Sequence, residues 1–157
     1  MTAVIFSETT CRLGEGALWH PERGQLFWFD ILSRRLLTRE GETERVWDFD
    51  TYVSAAGWID ATTLLVASAN ALLRFDIETG QHEEVAALEA DDPVTRSNDG
   101  RADPWGGFWI GTMGVSAEPG AGAIYRYFRG ELRRLRSGIT ISNAICFAPD
   151  GGYAFYT

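Results

Sequence analysis

The feature that most constrains this chain is a weak internal repeat. Glu15, Asn98 and Asn143 each stand six residues before a proline, at Pro21, Pro104 and Pro149. The three passages read GEGALWHPERGQLFWF, SNDGRADPWGGFWIGT and SNAICFAPDGGYAFYT. In each, a polar residue leads a short strand, a Pro/Gly turn and an aromatic strand. A fourth copy, SAAGWIDATTLLVAS, starts at Ser54 with Asp60 in the proline position. The copies start 39 to 45 residues apart, which is the spacing of β-propeller blades. Oxygen-bearing side chains held in phase predict several blades pointing ligands at one shared axis.

The rest of the chain supports an all-β reading. Helical periodicity is nearly absent, and short runs rich in Trp, Phe, Tyr, Val and Leu alternate with Gly, Pro, Asp and Asn. Blade one is expected to have strands near 16–20, 25–31, 35–39 and 44–49. Blade two takes 54–58, 63–68, 71–76 and 83–87, and blade three 98–102, 107–112, 122–128 and 131–135. A fourth blade begins at 142–147 and 153–157. The sequence then stops in mid-sheet, and YAFYT carries no charge to guard its edge, so self-association through that edge is expected. The opening AVIFSE reads as a strand for a late blade. Residues 1–157 are thus expected to be the N-terminal portion of a single propeller domain, truncated after about three and a half blades of four antiparallel strands.

Composition narrows the partners. Apolar residues make up 45% of the chain and aromatics 13%, enough for a folded core. A net charge of −8 argues against nucleic acid, because phosphate backbones require clustered Lys and Arg. The basic group Arg133, Arg134 and Arg136 reads as a solvated strand face. Cys11 and Cys146 have no paired spacing, so neither a disulfide framework nor a zinc motif is expected. MTAVIFSETT lacks the layout of a secretory signal and no stretch reaches membrane-spanning length, so no membrane is expected and the cytoplasm is the default compartment.

Three polar positions carry candidate chemistry. RSNDG at 96–100 gathers a cation, amide and hydroxyl groups, a carboxylate and a glycine. It reads either as an Asx-turn opening a strand or as a ligand-binding corner. Glu15 lies between Gly14 and Gly16, which leave room for close approach. It is either a turn glutamate or a metal ligand. Asn143 precedes an apolar strand and needs hydrogen-bond partners if buried. One carboxylate with carboxamide oxygens suits Ca²⁺, Mg²⁺ or Mn²⁺ better than a thiolate site would. His20, read in a turn, and His82, on an acidic outer strand, do not look like a nucleophile's base. There is no G-x-S-x-G elbow. Trp19, Trp28, Trp58 and Trp109 read as blade packing. PGAG at 119–122 reads as a loop rather than a phosphate cradle, since no helix follows it.

Three passages, LGEGALWHPERGQLFWFDI, RSNDGRADPWGGFWIGTMG and GITISNAICFAPDGGYAFYT, resemble the gluconolactonase/regucalcin family, also called senescence marker protein and luciferin-regenerating-enzyme-like. The resemblance covers nearly the whole chain and keeps the order of the motifs. It implies a six-bladed propeller with a divalent metal (Ca²⁺, Zn²⁺, Mn²⁺ or Mg²⁺) in the central channel, and metal-dependent hydrolysis of sugar lactones of the aldonolactone type. It implies metal binding by Glu15 and Asn143, and substrate binding by Arg96 and Asn98 with Asp99 adjacent. In the family the metal polarises the lactone carbonyl and lowers the pKa of a water. Two departures stand out. Ser116, with Glu118 slightly later, occupies the region of a substrate-contacting glutamate of the family. The family's metal-binding aspartate and general base, from a later blade, has no counterpart here, so no catalytic base is assigned. The alternative is a non-catalytic propeller fragment that binds calcium or a partner.

Overall fold

A computed structural model describes residues 2–157, and every regular element in it is a strand. Blade one comprises β1 (Gly14–His20), β2 (Gln25–Asp30), β3 (Arg35–Glu40) and β4 (Thr43–Asp48). Blade two comprises β5 (Val53–Asp60), β6 (Thr63–Ser68), β7 (Ala71–Asp76) and β8 (His82–Ala87). Blade three comprises β9 (Thr95–Ala102), β10 (Phe108–Gly114), β11 (Gly122–Phe128) and β12 (Glu131–Ile139). A fourth sheet holds only β13 (Cys146–Phe147) and β14 (Ala154–Phe155). Each full sheet is an antiparallel meander in sequence order. Among the described residues no helix is long and apolar enough to cross a membrane.

The inner strands β1, β5 and β9 lie side by side, and this brings the repeat positions together. Two cores lie between the blades. Phe27, Phe29, Leu36, Phe49, Leu64, Val66 and Phe75 fill the space between blades one and two. Leu65, Ala67, Leu72, Phe108, Ile110 and Tyr125 fill the space between blades two and three. The whole of β6 is buried. Its alternate side chains feed opposite cores, which is why TLLVAS reads as an unbroken apolar run rather than as an alternation.

The strand assignments differ from the sequence reading mainly at their ends. β9 starts at Thr95, so Arg96 belongs to the strand. β12 runs on to Ile139. In the fourth sheet, reciprocal 2.8 Å bonds between the backbones of Asn143 and Thr157 extend the short ladder. AVIFSE is not a strand. Among the described residues no strand pairs with it. Phe6 instead stands edge-on to Trp28 at 6.0 Å, with the Arg39 guanidinium 5.3 Å above its ring.

Two tryptophans were misread as core. Leu18 and His20 of β1 face inward, so pleating turns Trp19 out, and it is 59% exposed. Trp58, near the end of β5, is also exposed, with its ring 5.7 Å from that of His20. His20 ends β1 rather than lying in a turn. It is fully buried, with Nε2 3.0 Å from the Asp60 carbonyl, and is a packing residue. Both cysteines are free.

Candidate functional site

The site forms where the inner strands begin, and irregular backbone builds it. In β9, Asn98 and Asp99 together oppose the single residue Gly111 of β10, between the pairs Ser97↔Thr112 and Gly100↔Ile110. Such a bulge re-aims the side chains around it. In β1, Gly16 and Ala17 oppose Trp28 in the same manner, immediately after Glu15. Gly16 has φ near 60°, in the left-handed region. Ala144, the residue after Asn143, has φ near 56°. Glu15 and Asn143 therefore share the same local turn, with glycine in one copy and a strained alanine in the other.

These turns gather Arg96, Asn98 and Asn143 into one hydrogen-bonded chain. The Arg96 guanidinium donates through Nη1 to the Ser97 carbonyl at 2.7 Å and to Asn98 Oδ1 at 3.0 Å. Asn98 Nδ2 donates to the Ser142 carbonyl at 2.9 Å and to Asn143 Oδ1 at 3.3 Å. Arg96 is 6% exposed and Asn98 9%, whereas Glu15 and Asn143 face open space. Burial lowers the Arg96 pKa from its ordinary value, while Tyr52 and Glu15 favour the charged form. Among the described residues Arg96 forms no ion pair. A buried guanidinium held by neutral acceptors keeps a net positive potential for an incoming oxygen.

Asp99 is tied differently. Its Oδ2 accepts the Ile145 N–H at 2.9 Å, which brackets the start of the fourth sheet onto β9. Ser54, in phase with Glu15 and Asn98 by sequence, does not join the cluster. Its hydroxyl donates to Ser97 Oγ at 2.7 Å, deep between β5 and β9. Ser142 is fully buried against Gly111, where a side chain would overlap it. Sequence reading missed this layer of serines. Its only signal was Ser97–Asn98 and Ser142–Asn143 recurring as the same dipeptide. Glu118 folds back to accept the Ser116 N–H at 3.0 Å, within its own loop.

Residues 13–157 match the SMP-30/gluconolactonase/LRE-like region. The chain belongs to that family. A candidate sugar lactone lactonase of Rhizobium meliloti is 42% identical over 96% of the chain and 52% of its own length. The pentonolactonase XacC of Haloferax volcanii is 33% identical over 100% of the chain and 53% of its own length. A crystal structure of a calcium-binding protein, regucalcin, from Agrobacterium tumefaciens superposes with a TM-score of 0.93 at 40% identity, over 96% of this chain and 52% of that one. The chain thus spans about half the length of the SMP-30/gluconolactonase relatives it matches, and its blades form part of a propeller.

The donor set suits a hard divalent cation. Glu15 offers a carboxylate, and Asn143 Oδ1 has one lone pair beyond its long bond from Asn98. Among the described residues no three His, Cys, Asp or Glu side chains gather. Any cation here would therefore depend on carboxamide oxygen as well as on Glu15.

Proposed function

We propose that this chain supplies the inner-strand half of a sugar lactone hydrolase site. The observation that supports it is the Arg96–Asn98–Asn143 hydrogen-bonded chain, with Glu15 in the same phase on β1 and favouring the charged form of Arg96, in a family whose relatives carry lactonase names. Glu15 and Asn143 hold a divalent cation, which when bound polarises a carbonyl and acidifies a water. Arg96 and Asn98 hold ring and carbonyl oxygens of the lactone, and Asp99 keeps the Asn143 segment in place. The buried Arg96 guanidinium is fixed before substrate arrives, so little reorganisation is needed on binding. The residue that takes the proton from water is not assigned to these 157 positions. The two free thiols fit a reducing cytoplasm.

Lactone opening decides this reading. Purified 1–157 with Ca²⁺, Mn²⁺ or Zn²⁺ should open gluconolactone and pentonolactones slowly, because half a site positions substrate poorly. Appending the C-terminal half of the Rhizobium meliloti relative should raise the rate at least about 100-fold, which is about 2.7 kcal/mol of barrier. Glu15→Gln and Arg96→Met in that fused protein should each remove most of the gain. Full turnover by a fused protein carrying Glu15→Gln would end the proposal. Because the structure's 40%-identical relative is a calcium-binding protein, calcium binding without turnover is the second reading. Calorimetry showing Ca²⁺ bound by Glu15 in a fused protein that opens no lactone would favour it.

Self-association is part of the same proposal. Tyr153 is 70% exposed and Phe155 55%, on the open fourth sheet. Sedimentation should show concentration-dependent dimers or larger species, and Phe155→Lys should shift them toward monomer. A monomer at all concentrations would refute the interface.

A further inference from the structure

A second crevice lies at the other end of the blades. β5 and β9 both start at the site and run away from it, so their last residues stand at the opposite mouth. Ala102 is four residues beyond Asn98, about 13 Å along an extended strand. There, between blades two and three, opens a cavity of about 370 Å³. Buried Leu65 and Phe108 and the aromatic side chains of Trp58 and Tyr127 line it. Gly57 keeps the cavity open, since a Cβ there would stand 3.3 Å from the Phe108 ring. Both flanking blades are complete, so the crevice does not depend on the fourth sheet.

Its charge is unusual for this protein. The chain carries −8, yet Arg74 and Arg129 both line this cavity. Among the described residues neither forms an ion pair. Glu83 stands opposite Arg74 in the β7–β8 ladder without closing one. Arg129 lies 5.0 Å over the ring of Phe128, held at the rim from a left-handed turn at φ 52°. Aromatic side chains, buried apolar ones and two guanidiniums outside any ion pair make a site for a flat apolar body bearing negative charge.

We propose that this crevice binds a small planar organic anion, in its simplest form an aromatic carboxylate. The ring lies between Trp58 and Tyr127, and the carboxylate faces Arg74 and Arg129. Such a site, at the far mouth from Arg96, is separate from the lactone site, so its occupancy does not depend on that reading.

The test is a titration of the chain with 2-naphthoate and with the neutral 2-naphthylmethanol, read by calorimetry and ligand-observed NMR. The carboxylate should bind with a Kd of about 1 mM or tighter, and the alcohol more weakly. Arg74→Gln with Arg129→Gln should weaken the carboxylate at least about tenfold and leave the alcohol unchanged. Ala102→Leu, at the exposed lip, should fill the cavity and block both ligands. Circular dichroism checks each variant's fold, and either variant alone can decide. Carboxylate affinity equal in wild type and in a folded variant would overturn the proposal. No binding of the carboxylate at about 5 mM would also overturn it.

Discussion

Alanine at position 16 will cost the chain about 3 kcal/mol or more of stability, a large share of what a domain of this size possesses. Two effects add. Gly16 has φ near 60°, where a side chain costs about 1–2 kcal/mol. A Cβ there would also overlap the Ser54 carbonyl oxygen and come within 2.8 Å of the Phe29 ring. Backbone cannot move aside as a side chain tip can, so β1 would be pushed off β5. Gly24 provides the control. It too has φ near 60°, but nothing lies within 4 Å of its missing Cβ. Gly24→Ala should therefore cost only the conformational part, about 1–2 kcal/mol. Urea unfolding of both variants measures the difference. Equal losses would show that the close approach of β1 to β5 carries no energy.

The second large effect belongs to Asp103. Its side chain is fully buried, and four donors converge on it. The N–H groups of Trp105 and Gly107 reach Oδ1 at 2.9 and 2.8 Å, while Trp109 Nε1 and Arg126 Nε reach Oδ2 at 3.1 and 2.6 Å. Asp103→Asn would set an amide N–H₂ against donors that need an acceptor. A loss of about 3 kcal/mol is expected at neutral pH. The sign of the pH dependence follows from the carboxyl's shift. Burial opposes its ionisation, but Arg126 and the three N–H groups outweigh burial and hold its pKa below the ordinary value. The folded state therefore favours the carboxylate, and this stability is full above an unfolded pKa of about 3.9. It is lost as pH falls through the lower folded value. The gap between wild type and Asp103→Asn in urea melts should be constant from pH 7 to about 5 and close below about 4. Asp30, also depressed, against burial, by the Ser33 hydroxyl and by backbone N–H bonds from Arg12, Leu13 and Ser33, is present in both proteins and cancels in the difference. A gap independent of pH down to 2 would mean that the carboxylate charge contributes nothing.

The blade plan was legible because each blade repeats one pattern of turn and aromatic strand. Trp28, Phe108 and Tyr125 announce strands whatever surrounds them. The gathering of Arg96, Asn98 and Asn143 was legible for a related reason. Repeated phase on adjacent inner strands becomes nearness in space. What escaped reading depends on backbone detail that residue type does not encode. Nothing in SNAI signals that Ala144 takes a left-handed φ, since alanine rarely does. Ser54 has the right phase, but its strand slips by one residue between Val53 and Ala55, which sends its hydroxyl to Ser97. A slip of one position changes which face a strand residue addresses. The bond from the Ile145 N–H to Asp99 joins long-range partners that no local spacing could reveal. Asp103 drew no reading from the sequence for the same reason, its Arg126 partner lying 23 positions away.

β6 has a place in the chain beyond its contribution to packing. Leu64 and Val66 belong to one core, and Leu65 and Ala67 to the other. Peeling blade one away strips one side of that strand, and peeling blade three away strips the other. Neither seam can open without loosening the partner that holds the second seam shut. Repeat proteins often melt as a row of weakly linked units. Here a single six-residue strand works as a keystone, and the blades on either side of it stand or fall together.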